Sequence, residues 1–206
     1  MKTNLATFFA ITSLGRAALA APQTFDFQDP KGVNNAAFKL DAPLEAISGS
    51  ASGISGSVTF DAANPGATKG KIVVDAATLH VPNSMMKDHM HGGQWLDVAN
   101  HKEISFEARE LKNVKTTGDK TVADAIGSLT IKGVKKEITV PVTLTYLKDR
   151  LGARVNKPDL KGDLLVIRAN FPIKRSDFGI NPKAPEDKVA DTIELTLSIA
   201  GASTQK

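Results

Sequence analysis

Four histidines lie close together in this chain, at His80, His89, His91 and His101. Imidazole is the commonest transition-metal ligand in proteins, so spacing this tight raises the hypothesis of a metal site. On an α-helix the side chains of His89 and His91 would diverge by about 200°, and they would share one side only in an extended segment. A metal-binding protein or a metal-dependent enzyme built on the His80–His101 cluster is therefore one possible function, which we keep as the alternative to the one reached at the end of this section. The favoured interpretation makes these histidines polar residues of a loop.

A second chemically capable residue is Arg175, in the stretch FPIKRSDFGI. Phe171 and Ile173 alternate with polar residues, and the same alternation places Arg175 on the inward row. A guanidinium offers a rigid fork of donors to a pyrophosphate, a carboxylate or a quinone oxygen, so Arg175 and the neighbouring Asp177 are head-group candidates. The alternative is a structural arginine paired with Asp177 or with loop carbonyls, because a buried cation needs partners. The sequence leaves both open.

The sequence gives little support for a catalytic function. Ser84 lies near His80 and Asp88 in the sequence, but no G-x-S-x-G or other nucleophile motif accompanies them. We therefore predict a protein that is not an enzyme and that takes no cofactor.

The N-terminus predicts export. Lys2, the apolar run LATFFAITSLG and the small residues of ALAAP indicate a signal peptide over residues 1–20, cleaved after Ala20. The run is too short to span a membrane. Cleavage leaves one domain, residues 21–206, with 24 basic and 22 acidic residues and no cysteine. That composition fits a bacterial periplasm, and it gives no support to nucleic-acid binding because no Lys/Arg block is present.

The elements that must position these residues are strands. Period-two alternation recurs throughout, helical periodicity hardly appears, and eight or nine strands joined by polar turns predict an all-β antiparallel sandwich or closed barrel. Residues 80–101 break the pattern. They predict one or two short helical turns after Asn83, a candidate N-cap, in a segment apolar enough to pack over a barrel mouth as a lid.

The inward faces of the predicted strands are almost wholly aliphatic or phenylalanine. A barrel of about eight strands has room either for its own side chains or for one ligand, and the sequence does not separate these two cases. The candidate cavity and lid residues are Phe38, Phe60, Ile72, Val74, Met85, Met86, Met90, Trp95, Phe106, Ile131, Val140, Val142, Phe171, Ile173 and Leu195.

Four motifs in order resemble the YceI-like (polyisoprenoid-binding) family. They are SGSASGISGSVTFD, KDHMHGGQWLDVANHKEISF, GSLTIKGVKKEITVPVTL and FPIKRSDFGI. The resemblance implies a lipocalin-like antiparallel β-barrel of about eight strands with a short helical lid, exported to the periplasm, whose apolar cavity holds a long isoprenoid or similar lipid. The pair His89-Met90 aligns with a His-Leu pair of the family in the second motif, which makes His89 a further head-group candidate. His101 and Lys102 replace the family's frequent Tyr-Pro.

The sequence thus predicts a periplasmic carrier that holds an isoprenoid-like lipid, of polyprenyl or quinone type, and makes or breaks no bond. The expected partner is that lipid, with no nucleic acid and no integral membrane span. Exposed barrel edges or the lid could support a homodimer.

Overall fold

The computed structural model describes residues 21–204, so the predicted signal peptide lies outside the described residues. Strands dominate this part of the chain, as expected from the alternation, and two short helices accompany them. The strands are β1 (Gln23–Asp26), β2 (Asn35–Asp41), β3 (Ala46–Ala51), β4 (Ile54–Phe60), β5 (Lys69–Asp75), β6 (Glu103–Thr117), β7 (Lys120–Ile131), β8 (Val134–Leu147), β9 (Gly162–Lys174) and β10 (Thr192–Thr204). The helices are α1 (Ser84–His91) and α2 (Leu151–Val155).

Eight of these strands close into an antiparallel barrel. The sheet runs β1-β4-β5-β6-β7-β8-β9-β10, and a pairing between β1 and β10 completes the circle. The hairpin of β2 and β3 adds to β10 beyond β1 and lengthens the wall at one end, which we call the mouth. The prediction of an antiparallel barrel of about eight strands is confirmed. Helix α2 was not predicted.

The barrel widens toward its mouth because β8 and β9 separate there. Their pairing covers only Val142–Leu147 against Leu164–Ala169. Pro141, the next residue of β8 toward the mouth, has no N–H to donate, so it suits the point where pairing ends. From there to the mouth, β9 stays paired with β10 alone.

The opposite end of the barrel is packed solid with large side chains. Phe25, Phe27 and Leu165 are completely buried, and Phe60 is 4% exposed. The Tyr146 ring packs edge-on against Phe25, with ring centroids 6.3 Å apart. Such aromatic packing buries large apolar areas, so this end supplies much of the hydrophobic stabilisation.

The predicted helical turns at the mouth are also present. Asn83 is the N-cap of α1, and its Oδ1 accepts a hydrogen bond from Met86 N–H at 3.0 Å. No residue of α1 is buried. None of the helices in residues 21–204 has the length and apolar character needed to cross a membrane.

Candidate functional site

Two apolar cavities lie end to end inside the barrel. The outer chamber, at the mouth, has a volume of about 290 Å³, and the inner chamber has a volume of about 180 Å³. They share part of their walls, so we describe them together as the tunnel. The shared lining residues are Phe38, Leu79, Ile104, Ile131 and Leu195. The barrel is therefore not filled by its own side chains, the alternative that the sequence left open.

Most of the predicted cavity residues lie on this lining. Phe38, Ile131 and Leu195 line both chambers. The outer chamber adds Met86, Met90, Trp95 and Ile173. The inner chamber adds Ile72, Val74, Phe106, Val140, Val142 and Phe171. The placements on strands follow from their alternation, which turns every second side chain inward, whereas Met86 and Met90 come from helix α1 and Trp95 from the loop after it. That they contact a ligand stays a prediction.

Two predicted residues do not line the tunnel. Phe60 belongs to the packed end, where its ring centroid lies 6.0 Å from that of Tyr146. Its inward orientation is as predicted, but it lies too far toward the closed end of the barrel. Met85 is 68% exposed. On helix α1 consecutive side chains point about 100° apart, so Met86 faces the tunnel while Met85 faces away.

The site prediction missed part of the hairpin wall and the far rim of the outer chamber. Leu40, Glu45 and Ile47 come from the hairpin of β2 and β3, and Val189 comes from the segment before β10. Leu40 could have been included from its alternation with Phe38. Glu45 lies in a turn, where nothing in the local pattern predicts a contribution to a cavity.

Arg175 is 1% exposed, and its guanidinium is satisfied by main-chain carbonyls. Nη1 donates to Ile180 O at 2.8 Å and also to Asn181 O. Nε donates to Ala190 O at 3.4 Å, and Nη2 donates to Val189 O at 3.3 Å. These carbonyls belong to the two ends of one segment, residues 180–190, so the side chain fastens both ends of a loop at the mouth.

Asp177 is not the partner of Arg175. It is exposed, because a 3₁₀ turn over Ser176–Phe178 replaces the extended chain in which residues 175 and 177 would share a face. Of the two interpretations of Arg175, carbonyl pairing is the one observed. Its guanidinium also stacks over Trp95, 5.9 Å from the ring centroid, which fixes that ring on the outer chamber.

Asp191 also holds the loop of residues 180–190, because its carboxylate accepts hydrogen bonds from Ser176. Burial tends to raise the pKa of its carboxyl group, but hydrogen bonds from Ser176 N–H and Oγ–H, together with the nearby Arg175 charge, lower that pKa overall. Asp191 therefore remains ionised and holds the turn after β9 to the start of β10.

The four histidines do not converge. His89 lines the outer chamber, whereas His91 Nε2 donates to Leu79 O at 2.9 Å on another side of α1. This is the divergence expected on a helix. His101 pairs loosely with Asp97 at 3.9 Å, and His80 is exposed. Within residues 21–204, no group of three or more His, Cys, Asp or Glu side chains is placed to hold a metal ion.

The floor of the tunnel carries a polar pair. Tyr146 O–H donates to Asp163 Oδ2 at 2.7 Å, and Asp149 N–H donates to Asp163 Oδ1 at 2.8 Å. Burial, followed by the neighbouring Asp163, raises the pKa of Tyr146 to about 12. Burial acts to raise the pKa of Asp163, but the bonds from Asp149 and Tyr146 outweigh it and lower that pKa.

Polar side chains on the tunnel are confined almost entirely to its mouth. Glu45, His89 and Arg175 lie on the outer chamber, and the inner chamber offers only Thr68 and Thr196. The site can therefore accommodate a hydrocarbon chain along its depth and a small polar group at its entrance.

Known proteins share this architecture. The family model of the YceI-like domain matches residues 29–200. A UPF0312 protein of Pseudomonas paraeruginosa is 32% identical over 146 residues, 71% of this chain and 69% of that protein. A UPF0312 protein of Yersinia pestis is 31% identical over 157 residues, 76% of this chain and 74% of that protein.

Two solved structures show the same fold at low identity. Burkholderia cenocepacia BcnA superposes with a TM-score of 0.63 at 22% identity, covering 81% of this chain and 94% of that one. A polyisoprenoid-binding domain from Saccharophagus degradans, implicated in plant cell wall breakdown, gives a TM-score of 0.63 at 10% identity, covering 90% and 100%. The family match, the relatives and the barrel agree with the motifs in the sequence, and this chain belongs to the YceI-like family.

Proposed function

We propose that this protein is a periplasmic carrier that holds an isoprenoid-like lipid, of polyprenyl or quinone type, in the tunnel and makes or breaks no bond. The observation that carries the proposal is the tunnel itself, whose lining is apolar along its depth except for Thr68 and Thr196, and whose charged or ionisable residues, Glu45, His89 and Arg175, all lie at the mouth. Its chambers together have the size of a small-molecule site, about 300–1000 Å³.

Affinity would come from the hydrocarbon tail. Each buried methylene group contributes about 0.8 kcal/mol, so a tail of many carbons binds tightly without polar contacts. Glu45 and His89 would then position the head group, since the guanidinium of Arg175 is held by main-chain carbonyls. The Saccharophagus degradans domain, described as polyisoprenoid-binding, has the same fold, which supports a ligand of this chemical class. The periplasmic location is proposed from the N-terminal sequence alone.

Delivery would depend on the segment over the mouth. Helix α1 covers the outer chamber through Met86, His89 and Met90, yet has no buried residue. An element with so little buried surface opens at low cost in free energy. Gln94, just beyond α1, is held more firmly, since its carbonyl oxygen accepts hydrogen bonds from Lys132 Nζ and from Asn181 N–H.

The test is native mass spectrometry of the purified protein, with organic extraction of what it carries. We expect a prenyl lipid bound one per chain, and the same spectrum reports whether the protein is a dimer. A protein that is free of lipid after purification, and that takes up none from prenyl alcohol or quinone added in detergent, would overturn the proposal.

A further inference from the structure

The end of the tunnel away from the mouth is closed by packed side chains. Past the inner chamber lie Phe25, Phe60 and Leu165, at most 4% exposed and absent from the lining of either chamber. The hydrogen bond between Tyr146 and Asp163 ties two strands together at the same level. A hydrocarbon tail that enters from the mouth therefore meets a fixed floor.

The depth of the tunnel follows from the inward row of β9. Arg175 lines the mouth, and Ile167 is the deepest residue of this row on the lining. They are eight residues apart in the sequence. At about 3.3 Å per residue and a strand tilt of about 40°, the tunnel is about 20 Å deep.

A depth of this size limits the tail it can hold. An extended chain with carbon–carbon bonds of about 1.5 Å advances about 1.3 Å per carbon, so about 16 main-chain carbons, or about four isoprene units, reach the floor. This limit applies to a tail that lies extended along the tunnel.

We propose that the barrel selects its ligand by tail length, with an upper limit of about four isoprene units set by the floor. This inference rests on the proposed function and narrows it to lipids with one short tail. Longer tails would leave their excess outside the mouth and gain no affinity from it.

The experiment titrates purified protein with prenyl alcohols of two to six isoprene units. Trp95 is the single tryptophan of the chain and lines the outer chamber, so its fluorescence reports the filling of that chamber for every probe. We expect the dissociation constant to fall at least about tenfold per added unit up to four units, then to stay within about threefold. Affinity that keeps rising through six units would overturn the limit.

Two variants move the limit in opposite directions. Ala125→Phe adds bulk inside the inner chamber and should lower the optimum to three units or fewer, while the two-unit alcohol binds within about twofold of wild type. Leu144→Ala enlarges the inner chamber near the floor and should raise the optimum by about one unit. Val122→Phe places the same bulk as Ala125→Phe on the exposed side of β7 and should change nothing.

The outcomes separate this inference from the proposed function. If wild-type protein binds no prenyl alcohol, the proposed function fails. If it binds all lengths, and the two variants weaken every probe equally, the carrier function stands and the length limit is wrong. Should Ala125→Phe not fold by circular dichroism, the upward shift in Leu144→Ala decides the question.

Discussion

Asp163, near the start of β9, and Arg175, directly after its end, occupy opposite ends of one inward-facing row, and each is 1% exposed. Neither charge meets a charged side chain of opposite sign within salt-bridge distance in the described residues. Asp163 accepts hydrogen bonds from Tyr146 and Asp149, and Arg175 donates to carbonyls of the 180–190 segment. The row between them is apolar, consisting of Leu165, Ile167, Ala169, Phe171 and Ile173. Neither buried charge therefore interrupts the apolar part of the tunnel, since Arg175 lies at the mouth and Asp163 lies beyond the floor.

Replacing Arg175 should loosen the mouth. Arg175→Met leaves several buried carbonyls without donors, and we expect a loss of at least about 3 kcal/mol in the free energy of unfolding. Arg175→Lys should recover only part of it, because an ammonium group lacks the planar fork that reaches both ends of the loop. Urea denaturation measures the loss, and hydrogen exchange should show faster exchange in residues 180–190.

Lys174→Met is the matched control for Arg175→Met, since Lys174 is the neighbouring, exposed residue of β9. Its stability should stay within about 0.5 kcal/mol of wild type. An Arg175→Met protein as stable as this control would show that the carbonyl contacts contribute nothing.

The floor pair should make stability depend on pH at both extremes. The folded pKa of Asp163 is lowered, so its stabilising contribution is present above its unfolded pKa of about 4 and is lost as the pH falls through the folded value. The folded pKa of Tyr146 is raised to about 12, so its contribution is present below about 10 and is lost as the pH rises toward 12.

Tyr146→Phe tests this pair. It removes one hydrogen bond to a buried carboxylate and should cost about 1.5–3 kcal/mol at pH 7. The difference from wild type, measured by urea denaturation, should shrink below pH 4 and above pH 10. A difference that is constant over this whole range would mean that the loss does not come from the bond between the Tyr146 hydroxyl and the ionised Asp163.

A bulky side chain at the junction of the two chambers should block the inner one. Leu195 lines both chambers, so Leu195→Trp should reduce the uptake of a four-unit prenyl alcohol at least about tenfold without unfolding the barrel. Val122→Trp, on an exposed position of β7, is the control. Uptake measured by native mass spectrometry that stays equal in both variants would contradict a ligand in the tunnel.

Weakening α1 should speed ligand exchange. Asn83→Ala removes the N-cap bond to Met86 N–H, at a cost of about 1 kcal/mol to the helix. We expect the dissociation rate of a prenyl alcohol, followed by stopped-flow Trp95 fluorescence, to rise about fivefold. Ser84→Ala, at the next residue, keeps the cap and should leave the rate unchanged. An unchanged rate in Asn83→Ala would mean that ligands exchange without movement of this helix.

The sequence by itself determined the kind of fold and much of the lining. Alternation along the strands assigns each side chain to the inside or the outside, which is why Phe171, Ile173, Val140 and Val142 line the tunnel. The N-cap at Asn83 and the divergence of His89 from His91 also follow from local chain geometry. Local periodicity determines such features because it depends on neighbours in sequence only.

Only the tertiary structure decided how deep each residue lies and which partners it meets. Phe60 and Val142 both occupy inward positions of alternating strands, so the sequence does not distinguish them. In the structure Phe60 packs below the floor and Val142 lines the tunnel, because strand register sets how far along the barrel each inward residue lies. Arg175 meets carbonyls from a segment up to 15 residues away instead of Asp177, since a turn breaks the alternation between them. Contacts between distant segments depend on how the whole barrel closes, and no local pattern encodes them.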